Sequence, residues 1–263
     1  RARVTTYGIE DTRHALTALP HAADAINCPV CAHRLQYSAI LLSHQGHYRC
    51  PQCGFARPLV DVAATTVTLL GTDSLALDIL SRTGAFSVEA GVPGFYNAYN
   101  ALAATAASLT LGLAPATINA GLREFRAAFG RLERVTAGDK RLLLALVKNP
   151  VGFNEVLRML FPPGAEALGG AKHLLIIIND LIADGRDVSW LWDVDFELLS
   201  VPGATARVTT AGLRAADMAN RLKYAGVPTS SIAAIPDLAG ALDSALAPLA
   251  AGETLYVLPT YTA

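Results

Sequence analysis

Four cysteines, Cys28, Cys31, Cys50 and Cys53, form two C-x-x-C pairs separated by 18 residues, and the chain has no other cysteine. Each pair lets two thiolates converge on one ion while the turn's backbone amides point at the sulfurs. Two such turns complete a tetrahedron with no position left open for water, so the pattern reads as a structural Zn2+ site that holds a fold and does no chemistry. Two disulfides or a redox pair are the competing readings, and two spaced pairs with no cysteine left over favour zinc. The spacing predicts a ribbon at about residues 24–58, with strands at 36–42 and 47–49 turning at Gln45-Gly46. Gly54 suits the tight turn after the second pair. His33, His44 and His47 fall between the pairs, but four thiolates already fill the site, so they are expected on the ribbon's surface.

The 263-residue chain as a whole is 52% apolar and 16% charged, enough for a sizeable core and against wholesale disorder. A net charge of −1 gives no basic excess, so no nucleic-acid partner is expected. Residues 1–11 are polar and charged, unlike a signal peptide. The weakly polar run 101–122 carries Thr105, Ser108, Thr110, Pro115, Thr117 and Asn119, which favours a buried helix and a turn over a membrane span. A soluble, cytoplasmic protein is expected.

Strand-like segments at 4–9, 61–70, 141–147, 173–178, 206–208, 229–232 and 255–258 alternate with helical ones at 96–111, 115–125, 153–160 and 213–225. Several strands are apolar on both faces, which predicts an α/β fold with a mostly parallel, covered sheet. The pattern changes near residue 130, giving two expected domains, 1–129 and 130–263.

Several motifs together resemble the Mur ligase family, the ATP-dependent amide-forming enzymes of peptidoglycan synthesis. Gly94-Phe95-Tyr96-Asn97-Ala98-Tyr99-Asn100-Ala101-Leu102-Ala103-Ala104 is similar to the G-x-H-N-x-x-N-x-x-A-A helix of their central domain. Phe129-Gly130-Arg131-Leu132-Glu133 resembles their G-R-x-E hinge, and Lys148-Asn149-Pro150 their H-N-P loop with Lys in place of His. The cysteine ribbon and the stretch from Asn179 to Asp193, with Trp190-Leu191-Trp192-Asp193, narrow the resemblance to the glutaminase-coupled branch of that family. The implied architecture is part of a Mur ligase central domain with an inserted zinc ribbon, followed by a Rossmann-like Mur ligase C-terminal domain. No G-x-x-G-K-[ST] loop is present, so the chain is expected to start midway through the central domain and not to turn over ATP alone.

That resemblance implies ATP-dependent amidation of the D-glutamate α-carboxylate of lipid II, at the inner face of the membrane, beside a GatD-like glutamine amidotransferase subunit. It implies ATP and Mg2+ as cofactors of the intact protein. Asn100, with Asn97 on the same helix face, is then the adenine contact, since a side-chain amide offers both a donor and an acceptor. Ordinary N-terminal capping is the alternative. Arg131 and Lys148 are the candidate phosphate contacts, and surface pairing with Glu133 or Glu124 is the alternative for Arg131. Asp184, Asp187, Asp193 and Asp195 crowd twelve residues beside the chain's two tryptophans. If this is a strand, Trp190 and Trp192 share one face and suit a partner surface. The resemblance implies that one aspartate completes the partner's Cys-His pair, Asp193 before Asp187, whereas Asp184 and Asp195 read as caps. Two rival functions are a non-catalytic zinc-ribbon interaction module and a Mur or folylpolyglutamate-type amino-acid ligase.

Overall fold

The computed structural model describes residues 4–126, 131–162 and 170–263, and the chain divides into two compact units, Arg1–Arg126 and Ala127–Ala263. Phe129 and Gly130 of the expected hinge lie outside the described residues.

The first unit is built on a four-stranded sheet in the order β1-β4-β5-β6, where β1 is Tyr7–Ile9, β4 Val62–Leu70, β5 Ser74–Ser81 and β6 Gly84–Ala90. Only β1 and β4 run parallel, and β4, β5 and β6 form an antiparallel meander. This departs from the mostly parallel sheet expected, because short turns at Gly71 (φ +63°) and Gly84 (φ +112°) reverse the chain where a crossover helix would be needed to keep it parallel. Strand β5 alternates, with Leu75, Leu77 and Ile79 fully buried, and packs beneath helix α1, Phe95–Thr110. That helix turns Phe95, Ala98, Ala101, Leu102, Thr105 and Ala106 inward, each large apolar side chain contributing about 2 kcal/mol. Gly112 (φ +82°) ends it, and α2, Pro115–Glu124, follows with proline at its start. Among the described residues no helix is long and apolar enough to cross a membrane.

The cysteine segment lies between β1 and β4 as a two-stranded hairpin, β2 (Gln36–Leu42) and β3 (Gln45–Arg49). The reversal falls at Ser43-His44, two residues before the expected Gln45-Gly46. Ser43 takes the left-handed conformation (φ +49°), and Gly46 is already paired against β2, so close that a Cβ there would stand 2.1 Å from the Ala39 carbonyl oxygen.

The second unit carries a six-stranded sheet in the order β11-β10-β9-β12-β8-β7. Its strands are β7 Arg131–Ala137, β8 Lys140–Ala145, β9 Lys172–Ile177, β10 Thr205–Ala211, β11 Ile232–Ala234 and β12 Thr254–Pro259. All pairs are parallel except the β7–β8 hairpin at the edge. The central strands carry near-continuous apolar runs because helices cover both faces. One face, with Leu143, Leu174, Ile176 and Val208, packs on α3 (Pro150–Leu160) and α4 (Ala215–Tyr224). The other, with Leu175, Ile177, Leu255 and Val257, packs on α5 (Leu238–Leu246). Strands β5, β6 and β7 and helix α5 went unread in the sequence, and the strand expected at 229–232 is a 3-10 turn leading into β11.

Candidate functional site

The four cysteine sulfurs lie within 4.8 Å of one another. Cys28 and Cys53 are 3.5 Å apart, as are Cys31 and Cys50. A tetrahedral zinc with bonds of about 2.3 Å has sulfur–sulfur edges of about 3.8 Å, so the spacing fits such an ion and is far from a disulfide of about 2.05 Å. The two turns repeat one design. The Ala32 amide donates to the Cys28 carbonyl and the Gly54 amide to the Cys50 carbonyl, at 2.8 and 3.1 Å. Both residues are left-handed, with φ of +58° and +78°. Glycine takes this conformation freely at the second knuckle; alanine takes it at a cost at the first. Burial raises the Cys50 thiol, but the Cys53 and Gln52 amides and the facing thiols outweigh it and bring it to about 6. For Cys31 a backbone bond from His33 lowers the value, yet burial and the facing thiols push it up to about 12. Four sulfurs this close resist ionising together unless a cation sits among them.

The expectation that the intervening histidines are surface residues fails at His47. Its ring nitrogen lies 2.9 Å from the Ile9 carbonyl oxygen and 3.5 Å from the Glu10 carboxylate. Arg57 donates to Glu10 at 2.8 Å from the other end of the hairpin. Strand β1 is the sheet's edge, so its free backbone groups need partners, and the ribbon supplies them.

Asn97 and Asn100 do not cap α1: the cap is Gly94, without a side-chain bond. The Asn97 amide donates to the Pro93 carbonyl at 2.6 Å, and its oxygen accepts from the Asn100 amide at 3.1 Å. Asn100 is thereby oriented on an exposed face. A cavity of about 150 Å³ at the other end of α1, among Thr5, Asp61, Arg82, Thr83 and Thr110, includes neither asparagine. Arg131 begins β7, and Lys148 is exposed just before Asn149, whose side chain caps α3 by accepting from the Gly152 amide at 2.7 Å.

The aspartate–tryptophan segment is not a strand. Ser189–Asp193 and Phe196–Ser200 are 3-10 turns, in which residues two apart point about 240° away from each other. The tryptophans therefore diverge. Trp190 turns inward, its ring 6.4 Å from Phe153, while Trp192 stays 52% exposed. Buried Leu191, Val194 and Phe196 fix that choice. The Asp187 carboxylate accepts from the Ser189 amide at 2.8 Å, which lowers its pKa. Asp184 accepts from the Thr262 amide and hydroxyl, and Asp180 pairs with Arg214 at 2.7 Å. The Asp193 carboxylate is exposed and bonds to no group among the described residues.

Two helix residues given no role in the sequence grip this segment. Arg221 of α4 is 3% exposed and donates to the carbonyls of Leu191 (3.2 Å) and Val194 (2.7 Å) and to Glu197 (3.0 Å). Its guanidinium lies 5.3 Å from the ring centres of both Trp192 and Phe196. From α3, the Asn154 side-chain oxygen accepts from the Asp195 amide at 2.8 Å. A signal was available: Arg221 falls on the apolar stripe of α4 with Met218, Leu222 and Ala225, where an unpaired charge is costly.

Residues 146–263 match the family model described as MurT ligase C-terminal. The chain is similar to the lipid II isoglutaminyl synthase (glutamine-hydrolyzing) subunit MurT of Streptococcus pneumoniae, 33% identical over 91% of this chain and 51% of that protein. Its counterpart from Staphylococcus aureus is 37% identical over 76% of this chain and 43% of that protein. The chain thus spans about half the length of the curated relatives it matches. In fold it resembles a pseudomurein peptide ligase type C from Methanothermus fervidus, with a TM-score of 0.63 and 22% identity over 97% of this chain and 50% of that one. A MurF from Acinetobacter baumannii gives 0.60 and 19% over 79% of this chain and 43% of that one. The fold is Mur ligase-like α/β.

Proposed function

Because the chain belongs to the MurT family of peptidoglycan ligases, we propose that it serves an ATP-dependent synthetase subunit amidating the D-glutamate α-carboxylate of lipid II. The first unit is then part of the central domain with its inserted zinc ribbon, and the second the C-terminal domain. The carboxylate is a poor electrophile. Transfer of the ATP γ-phosphoryl group, with Mg2+, to one carboxylate oxygen gives an acyl phosphate. Ammonia released from glutamine by a GatD-like partner attacks its carbonyl carbon, phosphate leaves, and an amide forms. The product is D-isoglutamine, one negative charge fewer per stem peptide. Lipid II would be met at the cytoplasmic face of the membrane.

Within the chain, Asn100 takes the adenine edge, held in orientation by Asn97, and Arg131 and Lys148 approach the nucleotide's phosphates. Cys28, Cys31, Cys50 and Cys53 hold zinc, which supplies structure only. Asp193 is supplied to the partner's Cys-His pair, where a carboxylate holds the imidazole in its productive tautomer. The observation that carries the partner role is the exposed Asp193 carboxylate, without a bond among the described residues, on a turn whose flanking backbone is held by Arg221 and Asn154. Asp187 is the weaker choice because its carboxylate is spent on Ser189.

The test uses the full-length protein with its co-expressed amidotransferase. Glutamine-dependent ATP hydrolysis in the presence of lipid II is expected, as is loss of glutaminase activity in Asp193→Asn with assembly intact. Consumption of ATP that requires a free amino acid in place of ammonia would overturn the amidation reading. Normal glutamine hydrolysis by Asp193→Asn would move the role to Asp187.

A further inference from the structure

We propose that Arg221 is a positioning residue that, with Asn154, clamps the Trp192–Asp193 turn in the shape in which its aspartate is presented; this rests on the Asp193 reading above.

The turn has little means of holding itself. A 3-10 helix of five residues makes few internal bonds of poor geometry, and neither of the two here has a side-chain cap at its start. Its tip is polar and exposed at Asp193, so burial does not fix the tip either. What fixes it comes from two separate helices. The Arg221 fork reaches the carbonyls of Leu191 and Val194, which bracket Trp192-Asp193 on both sides. Asn154 takes the amide of Asp195, two residues past the aspartate. The same guanidinium underlies the exposed Trp192 ring, which also meets Tyr224 at 5.7 Å. A buried guanidinium is costly to desolvate, and here it is directed almost wholly at this one segment. Lysine cannot reproduce the grip, because an ammonium is a point charge and lacks the planar fork that spans two carbonyls.

A displaced aspartate should cost turnover more than glutamine binding, since glutamine is held by the partner. In the full-length complex, Arg221→Lys is expected to lower glutaminase kcat between about ten- and a hundredfold with KM for glutamine unchanged. A partner-free readout comes from iodide quenching of Trp192 fluorescence in a Trp190→Phe background, where Arg221→Lys should raise accessibility. Asn154→Ser, which retains a shorter acceptor, should move both signals the same way by less, and it replaces Arg221→Lys if that variant fails to fold. Unchanged Trp192 quenching in both variants would refute the clamp. Unchanged kcat in a complex that Asp193→Asn inactivates would refute the positioning role while sparing Asp193. If Asp193→Asn is itself silent, the Asp193 reading falls, and the clamp is judged on the quenching alone.

Discussion

The cysteine ribbon and the tryptophan–aspartate turn are the two densest chemical signals in the chain, and they are built in opposite ways. In the ribbon, spacing is geometry: each C-x-x-C closes its own knuckle with a bond from the fifth residue to the first, at Ala32 and at Gly54. The turn is held by Arg221 and Asn154, which lie 24 to 41 residues away in sequence from the groups they bond. The ribbon then serves its own sheet through His47 and Arg57, whereas the turn leaves the Asp193 carboxylate exposed and without a bond among the described residues. A local motif can be read as a word; a turn held from outside cannot.

That contrast can be broken at the ribbon first. Cys50→Ser should abolish zinc binding, read by metal analysis of purified protein, and unfold the ribbon, since structural zinc supplies on the order of 10 kcal/mol in small domains. Retention of one zinc per chain would show that the four sulfurs are not the ligand set. At the turn, Trp190→Ala should destabilise the second unit by about 3 kcal/mol, because Trp190 packs on Phe153, while Trp192→Ala should cost under about 1 kcal/mol. Equal losses in chemical denaturation would mean that both rings are structural.

Glu155, beside the clamp residue Asn154, gives a pH-dependent test. Burial raises its carboxyl to about 7, opposed by Arg158 at 3.6 Å, and one of its oxygens has no bond among the described residues. The folded protein thus holds a proton that the unfolded chain releases near the ordinary value of 4.5, so stability is greatest at low pH and falls as pH rises through about 7. Glu155→Gln should remove about 2 kcal/mol of that loss, seen as a flatter melting-temperature profile between about pH 4.5 and pH 7, the window set by the two pKa values. An unchanged profile would show that Glu155 is charged and solvated. The smallest effect sharpens the comparison within the ribbon itself. Ala32→Gly should stabilise it by about 1 kcal/mol by relieving the left-handed strain that Gly54 avoids at the matching position.

Much of the fold was legible because helix and strand periods are local. The apolar runs of β8, β9 and β12 announced a covered parallel sheet, and Pro115 marked a helix start. Strand β5 was missed because Ser74–Ser81 carries few β-branched or aromatic residues, and β7 because Arg131–Ala137 alternates weakly among charged residues at a sheet edge. At the candidate nucleotide positions, side-chain bonds removed the capping alternative: Asn97 donates to Pro93 and accepts from Asn100, so neither acts as a cap.

The sequence by itself determined which four cysteines come together, since residue identity and spacing are covalent facts and each C-x-x-C turn closes locally. It also carried the family, through motifs whose residue types are tied to one chemistry. Only the tertiary structure decided which tryptophan faces solvent, which aspartates are already engaged, and that a helix arginine is turned toward the turn. Those outcomes depend on contacts between segments distant along the chain, where the cost of burying a charge or leaving a carbonyl unpaired is resolved by whichever partner the fold brings within 3 Å or so.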